Sequence, residues 1–469
     1  FNAVANMSRV FGQVTKRRRD NRSRYQAQFG SNHSKLEVTK TDEEILAEQR
    51  AQYRRKKHAE GEQRDIDFGY ERFSHKSRGN ENSRRGWLFN ILPTTVPSVE
   101  ASSEDAPAGS ECSALDLYFR TETGFTFKST ILYSPYFYVI SSHPADSDDY
   151  PLFFESLKSS MLRLFENFGL SEVELVHKMD LDQVNHLSPS NREGRPMLKL
   201  VFDNVQQLMD VRKRVQDIIK KNAAKTNASA VYNPDYVPEA IDPMKTIVEL
   251  REYDIPYLSR VCIDLNIRAG AWYTVTPNDS NLGVTLSEQD VETKANPVYM
   301  AFDIECTKAP LKFPDANVDS IFMISYMVGG QGYLIISRHV VTQDIEDFEY
   351  SPKPTYRGPF HIFNEATEED LLNRFFAEYR KHKPQIVVTY NGDFFDWPFV
   401  EARAAVYGMD IGQECGVEKV GDGEYRGRCS VHLDAFHWVQ RDSYLPQGSQ
   451  GLKAVTKYKL GYDPVEVDP

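Results

Sequence analysis

Cysteine is scarce in this 469-residue chain, and long apolar runs are missing. The five cysteines (Cys112, Cys262, Cys306, Cys415 and Cys429) include no Cys-x-x-Cys pair, and their odd number and spacing fit neither a disulfide framework nor a zinc site. No apolar stretch approaches the length that spans a membrane, and the start lacks the hydrophobic segment of a signal peptide. We therefore expect free thiols, a reducing compartment and no membrane partner.

Positive charge is also in short supply after the first part of the chain. Residues 1–86 contain 20 Lys or Arg and 12 Asp or Glu, whereas residues 87–469 contain 36 and 56. This acidic excess argues against nonspecific binding of duplex DNA by the chain alone. A nuclease remains compatible with it, because metal-binding carboxylates raise the acid count. Phe1 in place of methionine, and an end that follows acidic residues, predict a piece of a longer protein.

Two acidic segments hold most of the functional information. Val298–Phe302 and Ile386–Thr389 each predict a short buried strand, and carboxylates follow both. Asp303 and Glu305 lie two residues apart, so a strand directs both side chains to one face. Charges at the end of a buried strand need compensation. A divalent ion would supply it, and oxygen-only ligands favour Mg²⁺ or Mn²⁺ over zinc.

The second segment, residues 390–396, ends in Asp396. We expect Asp303, Glu305 and Asp396 to be the catalytic residues and to hold two divalent ions for in-line hydrolysis of a phosphodiester. Such a reaction needs no protein nucleophile, which agrees with the lack of a Ser–His or Cys–His arrangement near these acids. Asn391 is predicted to hydrogen-bond the substrate or to orient the loop.

The aromatic residues of the same segment have two possible roles. Phe394 and Phe395 are predicted to contact terminal bases, because unpaired nucleic-acid ends stack on aromatic rings. The alternative is packing of the following helix onto the sheet, and for Trp397 we favour packing.

The first two regions of the chain differ in composition. Residues 1–80 are polar and predict a mostly disordered basic leader, interrupted by a helix that starts at the Thr41–Glu44 capping box and ends near Lys57. Residues 81–295 predict an α+β domain. Its strand–helix–strand–strand–helix order over residues 136–220 indicates a ferredoxin-like unit, followed by strands at 247–253 and 261–267.

Residues 296–469 predict a separate α/β domain. A meander of three strands precedes a helix over 367–382, whose apolar stripe begins after the Thr367–Asp370 capping box. A strand over 385–390 and a helix from Pro398 follow. Three strands, a helix, a strand and a helix, with acids at two strand ends, form the ribonuclease-H-like pattern.

Longer strings make a family resemblance specific. Residues 302–305 and 390–399 resemble the first two exonuclease motifs of the B-family DNA polymerases. The strings at 311–315, 441–446 and 459–464 are similar to the eukaryotic replicative branch that copies the leading strand.

This resemblance implies 3′→5′ proofreading at single-stranded or frayed primer 3′ ends, with Asp303, Glu305 and Asp396 as ligands of two Mg²⁺ or Mn²⁺ ions. It implies DNA, the remainder of a polymerase chain and accessory subunits as partners, and the nucleus as location. It also implies that the loop containing Pro314 lies near the DNA that enters the exonuclease site.

Two sets of family motifs are missing from the sequence. The third exonuclease motif, a tyrosine with an aspartate four positions later on a helix, is not found. Tyr462 and Glu466 have the spacing, but Pro464 breaks any helix between them. The Asp-Thr-Asp and Ser-Leu-Tyr-Pro-Ser strings of the polymerase site are also absent. We therefore expect this fragment to be nearly inactive, because losing one carboxylate ligand disturbs the in-line geometry.

Two other interpretations stay open. One is a noncatalytic fragment with a structural or single-stranded DNA-binding role, and the other is a general RNA exonuclease of the same fold.

Overall fold

The computed structural model describes residues 42–77, 79–97, 111–143, 149–179, 194–232, 242–278, 283–290, 293–354, 357–421, 423–442, 445 and 449–464. The chain forms two compact units, Phe1–Tyr53 and Arg54–Pro469. In the first unit, residues 42–53 begin helix α1 (Asp42–Asp67). Residues 1–41, most of the predicted leader, lie outside the described residues. None of the described helices is long and apolar enough to cross a membrane.

Two sheets occupy the second unit before residue 296. Their strands are β1 (Glu71–Arg72), β2 (Arg84–Pro97), β3 (Glu111–Arg120), β4 (Thr126–Leu132), β5 (Tyr136–Ser141), β6 (Leu170–Lys178), β7 (Arg195–Phe202), β8 (Ile247–Arg251), β9 (Trp272–Pro277) and β10 (Val284–Gln289). The helices are α2 (Tyr150–Phe165), α3 (Val205–Tyr232) and α4 (Tyr257–Asp264), with 3₁₀ turns at Glu166–Phe168 and Pro243–Thr246. One sheet has the order β1–β4–β3–β2–β9–β10 and the other β6–β7–β5–β8.

The four-stranded sheet and two helices form the predicted ferredoxin-like unit. The chain order is β5–α2–β6–β7–α3–β8, and neighbouring strands pair antiparallel. Helices α2 and α3 cover one face through buried side chains such as Leu157 and Val211. On the other face, Tyr138 is buried and the Lys178 ammonium lies 4.3 Å from its ring centroid. This tyrosine is therefore part of the core.

Residues 261–267 do not form the predicted strand. They belong to the second half of α4 and to the turn after it, where the N–H of Leu265 donates to the carbonyl of Val261 at 3.0 Å. The run from Val261 to Ile267 alternates apolar and polar residues, which is the pattern of a strand. Burial of Arg260 and Val261 on one side of the helix overrides that pattern.

A seven-stranded sheet forms the core of residues 296–464. Its strands are β11 (Tyr299–Cys306), β12 (Ile321–Val328), β13 (Gln331–Ser337), β14 (Phe348–Glu349), β15 (Pro359–Glu365), β16 (Ile386–Thr389) and β19 (Val431–Asp434), and β17 (Val417–Val420) pairs with β18 (Glu424–Gly427) in a separate hairpin. The helices are α5 (Glu368–His382), α6 (Asp396–Val406), α7 (Ile411–Glu414), α8 (Ala435–Asp442) and α9 (Leu452–Val455), and a π-helical turn spans Thr456–Leu460.

The sheet order β14–β15–β13–β12–β11–β16–β19 confirms the ribonuclease-H-like prediction. β11, β12 and β13 form the antiparallel meander, and β16 lies parallel to both β11 and β19. Helix α5 packs on this sheet with Leu371, Phe375 and Tyr379 fully buried, and the N–H of Asp370 donates to the Thr367 hydroxyl at 3.2 Å. The predicted capping box is present.

Strand β11 is buried on one face only. Met300, Phe302, Ile304 and Cys306 face the core, whereas Asp303 and its alternate neighbours are exposed. The sequence predicted a fully buried strand, because alanine and tyrosine on the open face are as apolar as the residues on the core side. The open face leaves the carboxylates accessible.

A buried ion network joins α1, the six-stranded sheet and the segment after β18. Asp65 of α1 accepts hydrogen bonds from Arg428 at 2.9 and 2.8 Å and from Lys128 of β4 at 2.6 Å. Arg428 also donates to Asp116 of β3 at 3.3 Å. Burial alone would raise the pKa of Asp65, but Arg428 and Lys128 outweigh burial and lower it. This attachment explains why α1 continues about ten residues beyond Lys57, where the sequence predicted its end.

Removing one positively charged side chain from this network should destabilise the fold. We expect Arg428→Ala to lower the free energy of unfolding by about 3 kcal/mol or more in urea denaturation, because Asp65 and Asp116 stay buried with less compensation. The control is Arg426→Ala, which breaks an exposed pair with Glu424 in the same hairpin and should cost less than about 1 kcal/mol. Equal costs for the two variants would contradict the network's role.

Candidate active site

Two of the three predicted metal ligands meet where β11 approaches α6. Asp303 lies on the open face of β11, two residues before Glu305 on the same face. Asp396 is the first residue of α6 and is 1% exposed. An oxygen of Asp396, Oδ1, accepts the N–H of Ile304 at 3.3 Å, and the carboxyl groups of Asp396 and Asp303 are hydrogen-bonded to each other. The central strand and the helix thus bring two distant acids into contact.

The three acids share one direction of pKa change. Burial, and then the charge of Asp303, raise the pKa of Asp396 to about 8. The protein atoms around Asp303 also raise its pKa by desolvation, although its side chain is partly exposed, and the hydrogen bond to Asp396 acts in the opposite direction. The pKa of the partly exposed Glu305 is raised by partial desolvation and by the charge of Asp303, with Lys308 opposing them. An acid with a raised pKa keeps its proton at a higher pH than usual. A bound cation would offset the negative charge of the ionised acid and so favour loss of that proton.

The structure does not bring Glu305 into the same tight cluster. Among the described residues, two groups have at least three possible ligand atoms within 4.8 Å of one another, and the predicted trio is neither of them. One is Glu62, Asp65 and Asp116 in the ion network, and the other is Asp393, Asp434 and His437. Glu305 lies beside Asp303 on the strand, at the edge of the Asp303–Asp396 contact.

Asp434, which the sequence interpretation missed, holds the loop between β16 and α6. It ends β19 opposite Thr389 of β16 and is 5% exposed. Its Oδ1 accepts the N–H of Asn391 at 2.8 Å, and its Oδ2 accepts the N–H of Asp393 at 3.1 Å. Asn391 has a left-handed backbone with φ +68°, which asparagine tolerates better than most residues. The available sequence signal was an acid at the end of a short strand, as at Asp303.

Gly392 lies where this loop passes closest to β16. A Cβ at this position would be 2.2 Å from Oγ1 of Thr389. That hydroxyl is hydrogen-bonded to Nε2 of His432 at 2.8 Å. A side chain at residue 392 would therefore displace the loop or the strand.

The aromatic residues of the loop divide into exposed and packed ones. Phe394 is 66% exposed, and its ring centroid lies 6.1 Å from that of His437. Phe395 is half-buried and packs against Phe399, with 5.8 Å between the ring centroids. Trp397 is fully buried, 4.9 Å from the ring of Phe302, as the packing alternative expected.

Two surface features flank the acids. The loop after β11 contains the half-buried Pro314, which directly follows Phe313, an apolar residue that is 93% exposed. A groove of about 380 Å³ runs along the open face of the sheet and is lined by Asp303, Met327 and Tyr390 among others. Asp303 therefore borders a space that is open to a ligand.

Comparison with known proteins places this geometry in a family. Residues 248–455 match the family described as DNA polymerase family B, exonuclease domain. The DNA polymerase epsilon catalytic subunit of Schizosaccharomyces pombe is 45% identical over 396 residues, which cover 82% of this chain and 17% of that protein. The protein of the same name from Arabidopsis thaliana is 44% identical over 394 residues, which cover 82% of this chain and 17% of that protein. The one from Saccharomyces cerevisiae is 42% identical over 410 residues, which cover 85% of this chain and 18% of that protein.

The fold has a solved counterpart. The structure of the family B DNA polymerase from the hyperthermophilic archaeon Pyrobaculum calidifontis matches with a TM-score of 0.52 and 16% identity, covering 80% of this chain and 39% of that one. This match supports the fold alone. The chain spans less than a fifth of the length of the curated relatives described above. From its identity to them, the chain belongs to the family B DNA polymerases and is homologous to the catalytic subunit of DNA polymerase epsilon.

Proposed function

We propose that this chain provides the 3′→5′ exonuclease part of a replicative DNA polymerase, which removes nucleotides from single-stranded or frayed primer 3′ ends. The observation that carries the proposal is the contact between the carboxyl groups of Asp303 and Asp396, inside the residues that match the exonuclease family. Paired acids beside an open groove suit phosphodiester hydrolysis assisted by divalent ions.

The donor set fits Mg²⁺ or Mn²⁺. Asp303 and Asp396 offer only oxygen atoms, and Glu305 adds another carboxylate on the same face as Asp303. These three residues would hold two ions. When bound, the ions supply activation of a water molecule and stabilisation of charge on the leaving oxygen. The N–H of Ile304 fixes one oxygen of Asp396, so the orientation of this carboxylate is set in advance.

The substrate contacts follow from exposure. The ring of Phe394 is accessible for stacking on an unpaired terminal base, whereas Phe395 supports the loop through its packing on Phe399. Asn391 is half-buried beside these rings and would hydrogen-bond the substrate through its amide. The loop with Pro314 would guide the incoming strand past the exposed ring of Phe313.

The remaining regions have supporting roles in this proposal. Residues 81–295 would form a domain that carries the exonuclease domain of residues 296–469, and the ion network around Asp65 would fix the two together. For the whole protein we propose leading-strand DNA synthesis in the nucleus, together with accessory subunits of a replicative complex.

The catalytic assignment predicts slow, metal-dependent hydrolysis. We expect this chain to shorten 5′-labelled single-stranded DNA from its 3′ end slowly with Mg²⁺ or Mn²⁺, because three carboxylates supply only part of the coordination of two ions. Asp303→Ala and Asp396→Ala should reduce the rate to background, whereas Asp410→Asn, which alters a helix cap at Gly412, should leave it unchanged. Hydrolysis that survives Asp303→Ala, or equal cleavage of RNA and DNA, would contradict the proposal.

The raised pKa of Asp396 predicts a pH-dependent stability in the absence of metal. The unfolded carboxyl loses its proton near its ordinary value of 3.8, but the folded one retains it up to about pH 8. Stability should therefore fall as the pH rises through this interval. In EDTA, we expect the midpoint of thermal unfolding to decrease between pH 5.5 and pH 8.5 by at least about 2 °C more for the chain than for Asp396→Asn. Mg²⁺ should stabilise the unaltered chain more at the higher pH, and identical slopes for the two proteins would contradict this assignment.

Base stacking on Phe394 is tested by binding. We expect Phe394→Ala to weaken the binding of a short single-stranded DNA, measured by fluorescence anisotropy in Ca²⁺, by about 1 kcal/mol or more because a stacking surface is lost. Phe125→Ala removes a partly exposed ring from the turn between β3 and β4 and should leave binding unchanged. Similar losses in both variants would show that Phe394 has no special role.

A further inference from the structure

We propose that Asp434 is a positioning residue for the metal site, because it fixes the backbone of the loop that delivers Asp396. This inference rests on the proposed function. Asp434 is itself only 5% exposed, and its hydrogen-bond partners are main-chain N–H groups of the loop and of α8. It would therefore act on the metal site through the loop.

The Asp434 carboxylate accepts three hydrogen bonds from backbone N–H groups. Oδ1 accepts the N–H of Asn391 at 2.8 Å and the N–H of Phe436 at 2.9 Å, and Oδ2 accepts the N–H of Asp393 at 3.1 Å. The bond from Phe436 caps the start of α8 and orients the carboxylate. The other two bonds hold alternate residues of the loop. A charged acceptor of this kind forms stronger bonds than a neutral one.

Backbone hydrogen bonds of the loop connect Asp434 with Asp396. Asn391 adopts its left-handed backbone directly at one of these bonds, a conformation that persists only where neighbouring contacts determine it. The carbonyl of Asn391 then accepts the N–H of Phe395 at 3.0 Å, and the carbonyl of Gly392 accepts the N–H of Trp397 at 3.0 Å. These bonds form the turn that begins α6, whose first residue is Asp396. The position of Asp396 opposite Asp303 is therefore set by the loop that Asp434 holds.

The side chain of Asp393, which belongs to the same loop, makes a second set of contacts with the protein. Oδ1 of Asp393 accepts the N–H of Tyr425 at 2.7 Å, and its Oδ2 lies 3.2 Å from Nε2 of His437. Nδ1 of His432 is 3.4 Å from the same carboxylate, and the other ring nitrogen of His432 is bonded to Thr389. The oxygens of Asp393 and Asp434 are thus occupied by protein groups. This arrangement favours a positioning role over direct binding of an ion by these acids.

The experiment compares Asp434→Asn with Asp410→Asn in this chain. Both replace an aspartate whose side chain accepts backbone N–H, but Asp410 accepts that of Gly412 at the start of α7 and not one from the loop. Amide hydrogen exchange reports on the N–H groups of residues 390–396, and Mn²⁺ titration followed by electron paramagnetic resonance reports on the metal site. We expect Asp434→Asn to increase exchange in the loop and to weaken Mn²⁺ binding by about tenfold or more, because its amide NH₂ opposes one of the loop N–H groups. Asp410→Asn should change Mn²⁺ affinity by less than about twofold.

A second variant tests the mechanism if Asp434→Asn alone folds poorly. Asn391→Gly removes the steric cost of the left-handed backbone, so the double variant should fold and recover part of the Mn²⁺ affinity. A purely structural role of Asp434 would change thermal stability without changing the Mn²⁺ signal.

Three outcomes would overturn the inference, and they differ in what else they affect. Unchanged Mn²⁺ affinity in Asp434→Asn, together with loss in Asp303→Ala, would reject the positioning role and leave the proposed function standing. Equal weakening by His437→Ala would mean that Asp393, Asp434 and His437 bind the ion directly. Unchanged affinity in Asp303→Ala would reject the proposed metal site, and the positioning role with it.

Discussion

Four charges hold three parts of the chain in a single arrangement: those of the buried Asp65, Asp116 and Lys128 and that of the half-buried Arg428. Taking such ions out of water costs several kcal/mol for each, and the cost is offset only when every charge has good partners. Here each carboxylate meets both cations, so the hydrogen bonds fit one register of the hairpin against the sheet. Because β19 begins at Val431, three residues after Arg428, this register also helps to position Asp434 at the end of β19.

Acids that are buried, or that contact a buried acid, are compensated in three different ways in this chain. Asp65 is paired with cations, and Asp434 is surrounded by backbone N–H groups. Asp303 and Asp396 instead face each other, and their pKa values rise. The first two kinds are complete within the protein, whereas the third would be completed by the divalent ions of the proposed site. If the proposed site is correct, this contrast separates an acid that stabilises the fold from one that binds a ligand.

Local patterns were sufficient for much of the fold. The two-residue spacing of Asp303 and Glu305 on a strand and the capping box at Thr367 depend only on neighbours in sequence, and both are present as predicted. The order of elements identified both the ferredoxin-like unit and the ribonuclease-H-like sheet.

The errors arose where distant contacts decide. Val261 lies in a helix although its neighbours alternate like a strand, and α1 extends to meet Arg428, several hundred residues away. Asp434 was missed for the same reason, since its partners are main-chain groups of a loop that no side-chain pattern marks. The distance from Glu305 to the other two acids could not be predicted either. Spacing along a strand determines which face a side chain occupies, but not how far it lies from residues on other elements.

The close approach of Gly392 to Thr389 has a consequence for heredity. Every replacement of glycine adds a Cβ, so any amino-acid change at this codon would force the loop and the strand apart while leaving all three carboxylates in the sequence. If the chain corrects copying errors as proposed, such a change would be a mutator allele. A single substitution at a residue without a side-chain functional group would then raise the mutation rate across the genome.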